Sequence, residues 1–213
     1  MKSATVAVLA AFVLGGVCTA QGATLLTSIP TTPTGTWGQF NSVVFKPKAD
    51  IWITHVGVFN PQGLAASTAN TQIALIDSTG LASGAMIPLD RYVIDAMVIP
   101  SGTVSVDGNF WLELAAPVKL TAGVEYAGIH NTNAGNNAFV YSQSATTLSV
   151  DPLIEWVGGG SNNEHVNWVF PGRSASSARV GTNFQYSLIP EPATMSLLAL
   201  GAAAILRRRK QQA

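Results

Sequence analysis

Five tryptophans and three histidines carry the most distinctive chemistry in this chain. An exposed indole stacks on the apolar face of a sugar ring, and neighbouring amides bind its hydroxyls. Trp111 stands in the alternating run Asn109-Phe110-Trp111-Leu112-Glu113-Leu114, on the side opposite Phe110, Leu112 and Leu114. Trp156 stands beside Glu155. These two are the candidates for sugar stacking. Most tryptophans fill cores, so packing is the rival reading for each of them, as for Trp37, Trp52 and Trp168.

Catalytic chemistry has less support. His55, His130 and His165 stand in no metal-ligand spacing, and no G-x-S-x-G elbow occurs. His55 falls within a candidate strand, where a packed or half-exposed side chain is the simpler reading. His165 follows Glu164 in a loop and reads as a solvated pair. A glycosidase needs two carboxylates across a cleft. Glu113, Glu125, Glu155 and Glu164 are available, but nothing in the sequence makes two of them converge. Glu113 and Glu125 sit on candidate strands with outward neighbours. Asp77-Ser78-Thr79-Gly80 and Asp107-Gly108-Asn109 offer oxygens to calcium but lack the acidic density of an EF-hand loop, and turn chemistry accounts for both. The expectation is a protein without catalytic residues, bound metal or cofactor.

The elements that would position these residues are strands. Short runs rich in Val, Ile, Phe and Trp alternate with clusters of Gly, Asn, Ser, Thr and Pro. No helical apolar period is sustained outside the two ends. Strands are expected at Phe40–Phe45, Ile51–Phe59, Thr71–Asp77, Arg91–Ile99, Asn109–Leu114, Val124–His130, Ala138–Ser142, Leu153–Val157, Val166–Phe170 and Arg179–Leu188. Their spacing predicts an all-β fold, an antiparallel β-sandwich or jelly-roll-like single domain. In Ile51–Phe59 the apolar parity changes between Ile53 and Val56. Either a one-residue bulge near Thr54-His55 brings all four aliphatics to one face, or the strand is buried on both faces. Asn131–Asn137 and Gly158–Asn163 read as polar loops.

The ends carry a different message. Met1-Lys2, the apolar run Ala4–Val17 and the small residues Cys18–Ala23 are the three regions of a secretory signal peptide. Cys18, the sole cysteine, leaves with it, so the body is expected to hold no disulfide and no thiol nucleophile. The formal charge of zero also misleads. Six basic and ten acidic residues between Ala23 and Ile189 give the body about −4, which speaks against nucleic-acid binding. At the other end, Pro190-Glu191-Pro192 precedes an apolar stretch, Ala193–Leu206, and the basic cluster Arg207-Arg208-Arg209-Lys210. As a helix the stretch spans roughly 20 Å, against about 30 Å of hydrocarbon, so it is a marginal anchor. The basic cluster acts as a membrane stop on the cytoplasmic side.

Box, apolar helix and basic cluster in this order resemble the PEP-CTERM sorting signal of Gram-negative bacteria. The resemblance implies transient anchoring in the inner membrane and processing near the Pro-Glu-Pro box by exosortase, a membrane-embedded cysteine-dependent transpeptidase. It further implies a body released or attached at the cell surface, often in the extracellular polysaccharide matrix. Val56–Phe59, Gln72–Gly80, Asn109–Leu114 and Pro117–Tyr126 resemble a β-sandwich module common among exported bacterial proteins, one without assigned catalytic residues. The expected organisation is a signal peptide over 1–23, a sandwich over 24–189 and a sorting signal over 190–213. The expected role is structural or adhesive, with carbohydrate binding as the alternative.

Overall fold

The computed structural model describes residues 22–28, 40–60, 63–68, 70–131, 141–144, 149–162, 168–174 and 177–188. The expected signal peptide up to residue 21, Trp37, Glu164, His165 and the tail from residue 189 lie outside the described residues. Among the described residues the strands are β1 (Ala23–Thr24), β2 (Leu26–Ser28), β3 (Phe40–Pro47), β4 (Ile51–Phe59), β5 (Thr71–Asp77), β6 (Tyr92–Ile99), β7 (Ser105–Val106), β8 (Asn109–Leu120), β9 (Tyr126–Asn131), β10 (Tyr141–Ser144), β11 (Ser149–Val150), β12 (Ile154–Asn162), β13 (Ser177–Val180) and β14 (Thr182–Ser187). A first sheet has the order β1-β14-β4-β8-β7 and a second the order β12-β3-β9-β5-β6. Two small ladders, β10 with β13 and β2 with β11, complete the set. All pairings are antiparallel, as expected for an all-β sandwich.

Alternation decides what lies between the sheets. Ile51, Ile53, Val56, Val58, Phe110 and Phe184 come from the first sheet. Val43, Phe45, Ile73, Leu75, Tyr126 and Ile154 meet them from the second. Four buried aliphatics of one strand can share this face because β4 is bulged. Its register against both β8 and β14 skips Thr54. The bulge is thus the correct member of the pair of readings left open above.

The second sheet is buried on its other face as well. Phe40, Val44, Ile76, Ala127 and Ile129 form a second cluster with Ile87, Val169 and Phe170. The covering residues come from two segments that hydrogen-bond each other: Phe170 N–H to Ala85 O at 2.8 Å and Gly84 N–H to Phe170 O at 2.9 Å. Burial on both faces explains the continuous apolar runs Val43-Val44-Phe45 and Ile73-Ala74-Leu75-Ile76. It also explains why residues 168–170 are not the strand expected there: Val169 makes only an isolated bridge to Met86, and the segment serves as a cover.

A polar clasp holds this cover down. Arg173 donates to the carbonyls of Ser78 (3.1 Å) and Leu81 (2.8 Å) and pairs with Glu125 Oε1 at 3.1 Å. Ser78 Oγ donates to the same carboxylate oxygen at 3.1 Å. Glu125 therefore departs from its expected outward position. It is buried just ahead of β9, and its charge is held by Arg173, the Ser78 hydroxyl and Lys46 at 3.9 Å. A buried carboxylate requires such partners.

The Gly158–Asn162 stretch, expected as a loop, continues β12 along β3. Its glycines are there for close approach. A methyl on Gly160 would lie 2.6 Å from the carbonyl oxygens of Pro171 and Gly172, and one on Gly158 2.9 Å from that of Ser174. Gly159 and Ser174 exchange backbone hydrogen bonds at the same place. Gly160→Ala should cost about 1–3 kcal/mol by overpacking against backbone that cannot swing aside. Urea unfolding would show this as a lower midpoint; an unchanged midpoint would contradict the close-approach account.

Candidate functional site

The bulge at Thr54 that turns Ile51, Ile53, Val56 and Val58 inward turns Trp52, His55 and Gly57 outward. Each of these three has registered neighbours on both flanking strands. Trp52 lies between Lys119 of β8 and Ser187 of β14. His55 lies between Glu113 and Gln185, and Gly57 between Trp111 and Asn183. The outer face of the first sheet thus carries three rungs stacked along β4, with an indole at each end and polar groups in the middle.

Gly57 sets the attitude of Trp111. Ring carbons of the indole occupy the space that a Cβ on Gly57 would need, so the ring lies over the glycine. Trp111 is half-buried, its Nε1 covered and without a hydrogen-bond partner among the described residues. One face of the ring rests on the sheet and the other points away from it. This is the wet-side placement expected for Trp111.

At the far rung, Lys119 Nζ sits 5.7 Å from the Trp52 ring centroid and 2.6 Å from Asp50 Oδ2. The hydrogen bond from Lys119, then that from the Ala122 N–H, holds the Asp50 carboxyl below its usual range. In the middle rung, Thr54 Oγ1 lies 3.3 Å from Gln185 O and 3.0 Å from His55 Nδ1. Both contacts are satisfied when the hydroxyl donates to the carbonyl and accepts from Nδ1–H, leaving Nε2 as an acceptor. Glu113 is exposed and makes no ion pair among the described residues.

Trp156 is placed differently from Trp111. It lies in the second sheet on β12, opposite Phe45, and packs against the main core, while Glu155 points to solvent. The alternation of a strand buried at Ile154 sends Trp156 the same way. The two tryptophans singled out in the sequence are therefore not brought together. The partner of Trp111 on its own face is Trp52, and the signal for it was the parity change in β4. The turn residues behave as turn residues: Asp77 Oδ1 accepts the Thr79 N–H at 2.9 Å and pairs with Arg91 at 3.6 Å. Among the described residues no group of three or more His, Cys, Asp or Glu converges on a point.

His130 belongs to the interior. It is 1% exposed, its Nδ1 is 3.1 Å from Thr182 Oγ1, and its ring lies against Gly181, where a side chain would collide with it. Among the described residues its Nε2 has no partner, nor has the side chain of Asn41, its neighbour across the β3–β9 ladder. Burial pushes the imidazole down to about 4 from 6.5. The unfolded chain therefore takes up a proton that the folded one refuses as pH falls from about 6.5 to about 4. Stability should fall by up to about 3 kcal/mol across that window and be unaffected by this group above it. Denaturant midpoints at stepped pH would read the slope. His130→Gln should flatten it relative to wild type, and parallel profiles would contradict the assignment.

The described residues are thus those of an all-β sandwich protein with one sheet covered on both sides and one sheet presenting an outer face. Residues 188–210 match the PEP-CTERM protein-sorting motif, so the chain carries this sorting signal. The motif marks an exported protein sorted by exosortase, with transient membrane anchoring through the C-terminal signal. Pro190, Glu191 and Pro192 and the basic residues Arg207, Arg208, Arg209 and Lys210 all fall within it. No curated protein matches the chain. Among the described residues no helix is long and apolar enough to cross a membrane.

Proposed function

We propose that this protein is a non-catalytic, adhesive component of the cell surface or extracellular matrix, and that it holds polysaccharide on the outer face of its first sheet. The observation that carries this reading is the register of β8, β4 and β14, which sets two indoles in one face with His55, Glu113 and Gln185 between them. Indoles take the apolar faces of sugar rings, and the imidazole, amide and carboxylate suit hydroxyls. The middle rung holds one carboxylate, whereas glycoside hydrolysis uses a facing pair. Export through the C-terminal signal would deliver the domain to where such polymers are found. In this reading processing at Pro190–Pro192 frees the body from its anchor.

Co-sedimentation of the mature protein with the extracellular polysaccharide of the producing cells tests this. Trp52→Ala and Trp111→Ala should each weaken binding about tenfold, the loss of roughly 1.4 kcal/mol of stacking. Far-UV circular dichroism of both variants should stay native. Wild-type strength in both folded variants, or no sedimentation of the wild type, would contradict the proposal.

A further inference from the structure

The arrangement of the same face narrows the ligand, an inference that rests on the polysaccharide reading above. We propose that the first sheet binds a linear, uncharged polysaccharide along β4, several rings at once, rather than a terminal sugar or an acidic chain.

Three observations carry this. The first is direction. The rungs at Trp52, His55 and Gly57 follow one strand, and β4 is the middle strand of its sheet, so the site is a strip and not an end pocket. At about 3.3 Å per residue the strip from Trp52 to Gly57 is roughly 15 Å long, a run of about three linked pyranose rings. A single sugar reaches one indole; a chain reaches both and the polar rung between them.

The second is charge. Lys119 is the cation of the strip, and Asp50 holds it at 2.6 Å. Glu113 stands exposed at the centre with no ion pair among the described residues. The strip therefore presents net negative character to its ligand, which disfavours uronates and sulfated sugars and leaves hydroxyl-rich neutral chains favoured. The third is preorganisation. Trp111 is laid over the sheet by the missing side chain of Gly57, and Thr54 holds His55, so ordering these groups costs little on binding.

The experiment uses the mature protein and the extracellular polysaccharide of the producing cells. The polymer is partly hydrolysed, separated by size, and split by anion exchange into neutral and acidic fragments. Calorimetric titration should show affinity rising about tenfold or more from disaccharides to tetrasaccharides in the neutral pool, then levelling. Trp52→Ala should abolish that rise while leaving short-fragment binding in place. Glu113→Gln should improve binding of the acidic pool, and the neutral pool should change less. Length-independent binding, or wild-type preference for acidic fragments, would overturn this inference and leave the polysaccharide reading standing. Failure to bind fragments of any length by a protein that also ignores the intact polymer would overturn both.

Discussion

A single extra residue in the central strand of the first sheet governs both what this protein buries and what it displays. Thr54 is skipped in the pairing of β4 with each of its neighbours. Without the skip, strict alternation would send Val56 and Val58 outward and His55 and Gly57 into the core. With it, four aliphatics fill one face and Trp52, His55 and Gly57 line the other. The Thr54 hydroxyl contacts the Gln185 carbonyl and His55 Nδ1, so the bulged residue is itself tied into the face it creates. On the opposite side β8 accommodates the same break through Leu114–Pro117, between the registered residues Glu113 and Val118.

The two sheets solve the burial problem differently. The second is closed on both faces, its outer cluster roofed by residues around Ile87 and Phe170. That roof needs glycines at 158 and 160 for backbone to meet backbone, and the Arg173–Glu125–Ser78 clasp to satisfy polar groups beneath it. The first sheet has its core face buried, while Glu113 and Lys119 on its other side remain exposed. Its end strands β1 and β7 are two residues long, and such short edges give little template for further strand pairing. Exposed chemistry on the first sheet thus resides in its face more than in its edges.

Much of the fold was legible because alternation and aliphatic clustering are local signals. Ile51–Phe59 and Thr71–Asp77 have the bounds that the residues announce, and the parity change in β4 pointed to the bulge. Failures came where a distant partner overrides the local pattern. Pro117 and two alanines hide the continuation of β8 to Leu120. Gly158-Gly159-Gly160 imitates a loop because the backbone that requires small residues is that of residues 171–174. Glu125 looks like a surface acid until Arg173, some fifty positions onward, arrives to pair with it. The candidate face was half legible. Trp111 was visible from strand parity, but Trp52, His55 and Gln185 join it only through cross-strand register. Trp156 was displaced from the candidate set by the same alternation that buries Ile154.

The sorting signal and the sandwich give separable information: the first bears on export and sorting, the second on the ligand proposed for its outer face. The central claim is that the outer face of the first sheet is the ligand face. Indole N–H signals in heteronuclear NMR, assigned by single Trp→Phe changes, test it most directly. On titration with neutral fragments of the extracellular polysaccharide, the Trp52 and Trp111 signals should shift together and saturate together, while those of Trp156 and Trp168 stay in place. Shifts confined to Trp156 or Trp168, with Trp52 and Trp111 unmoved, would contradict the account.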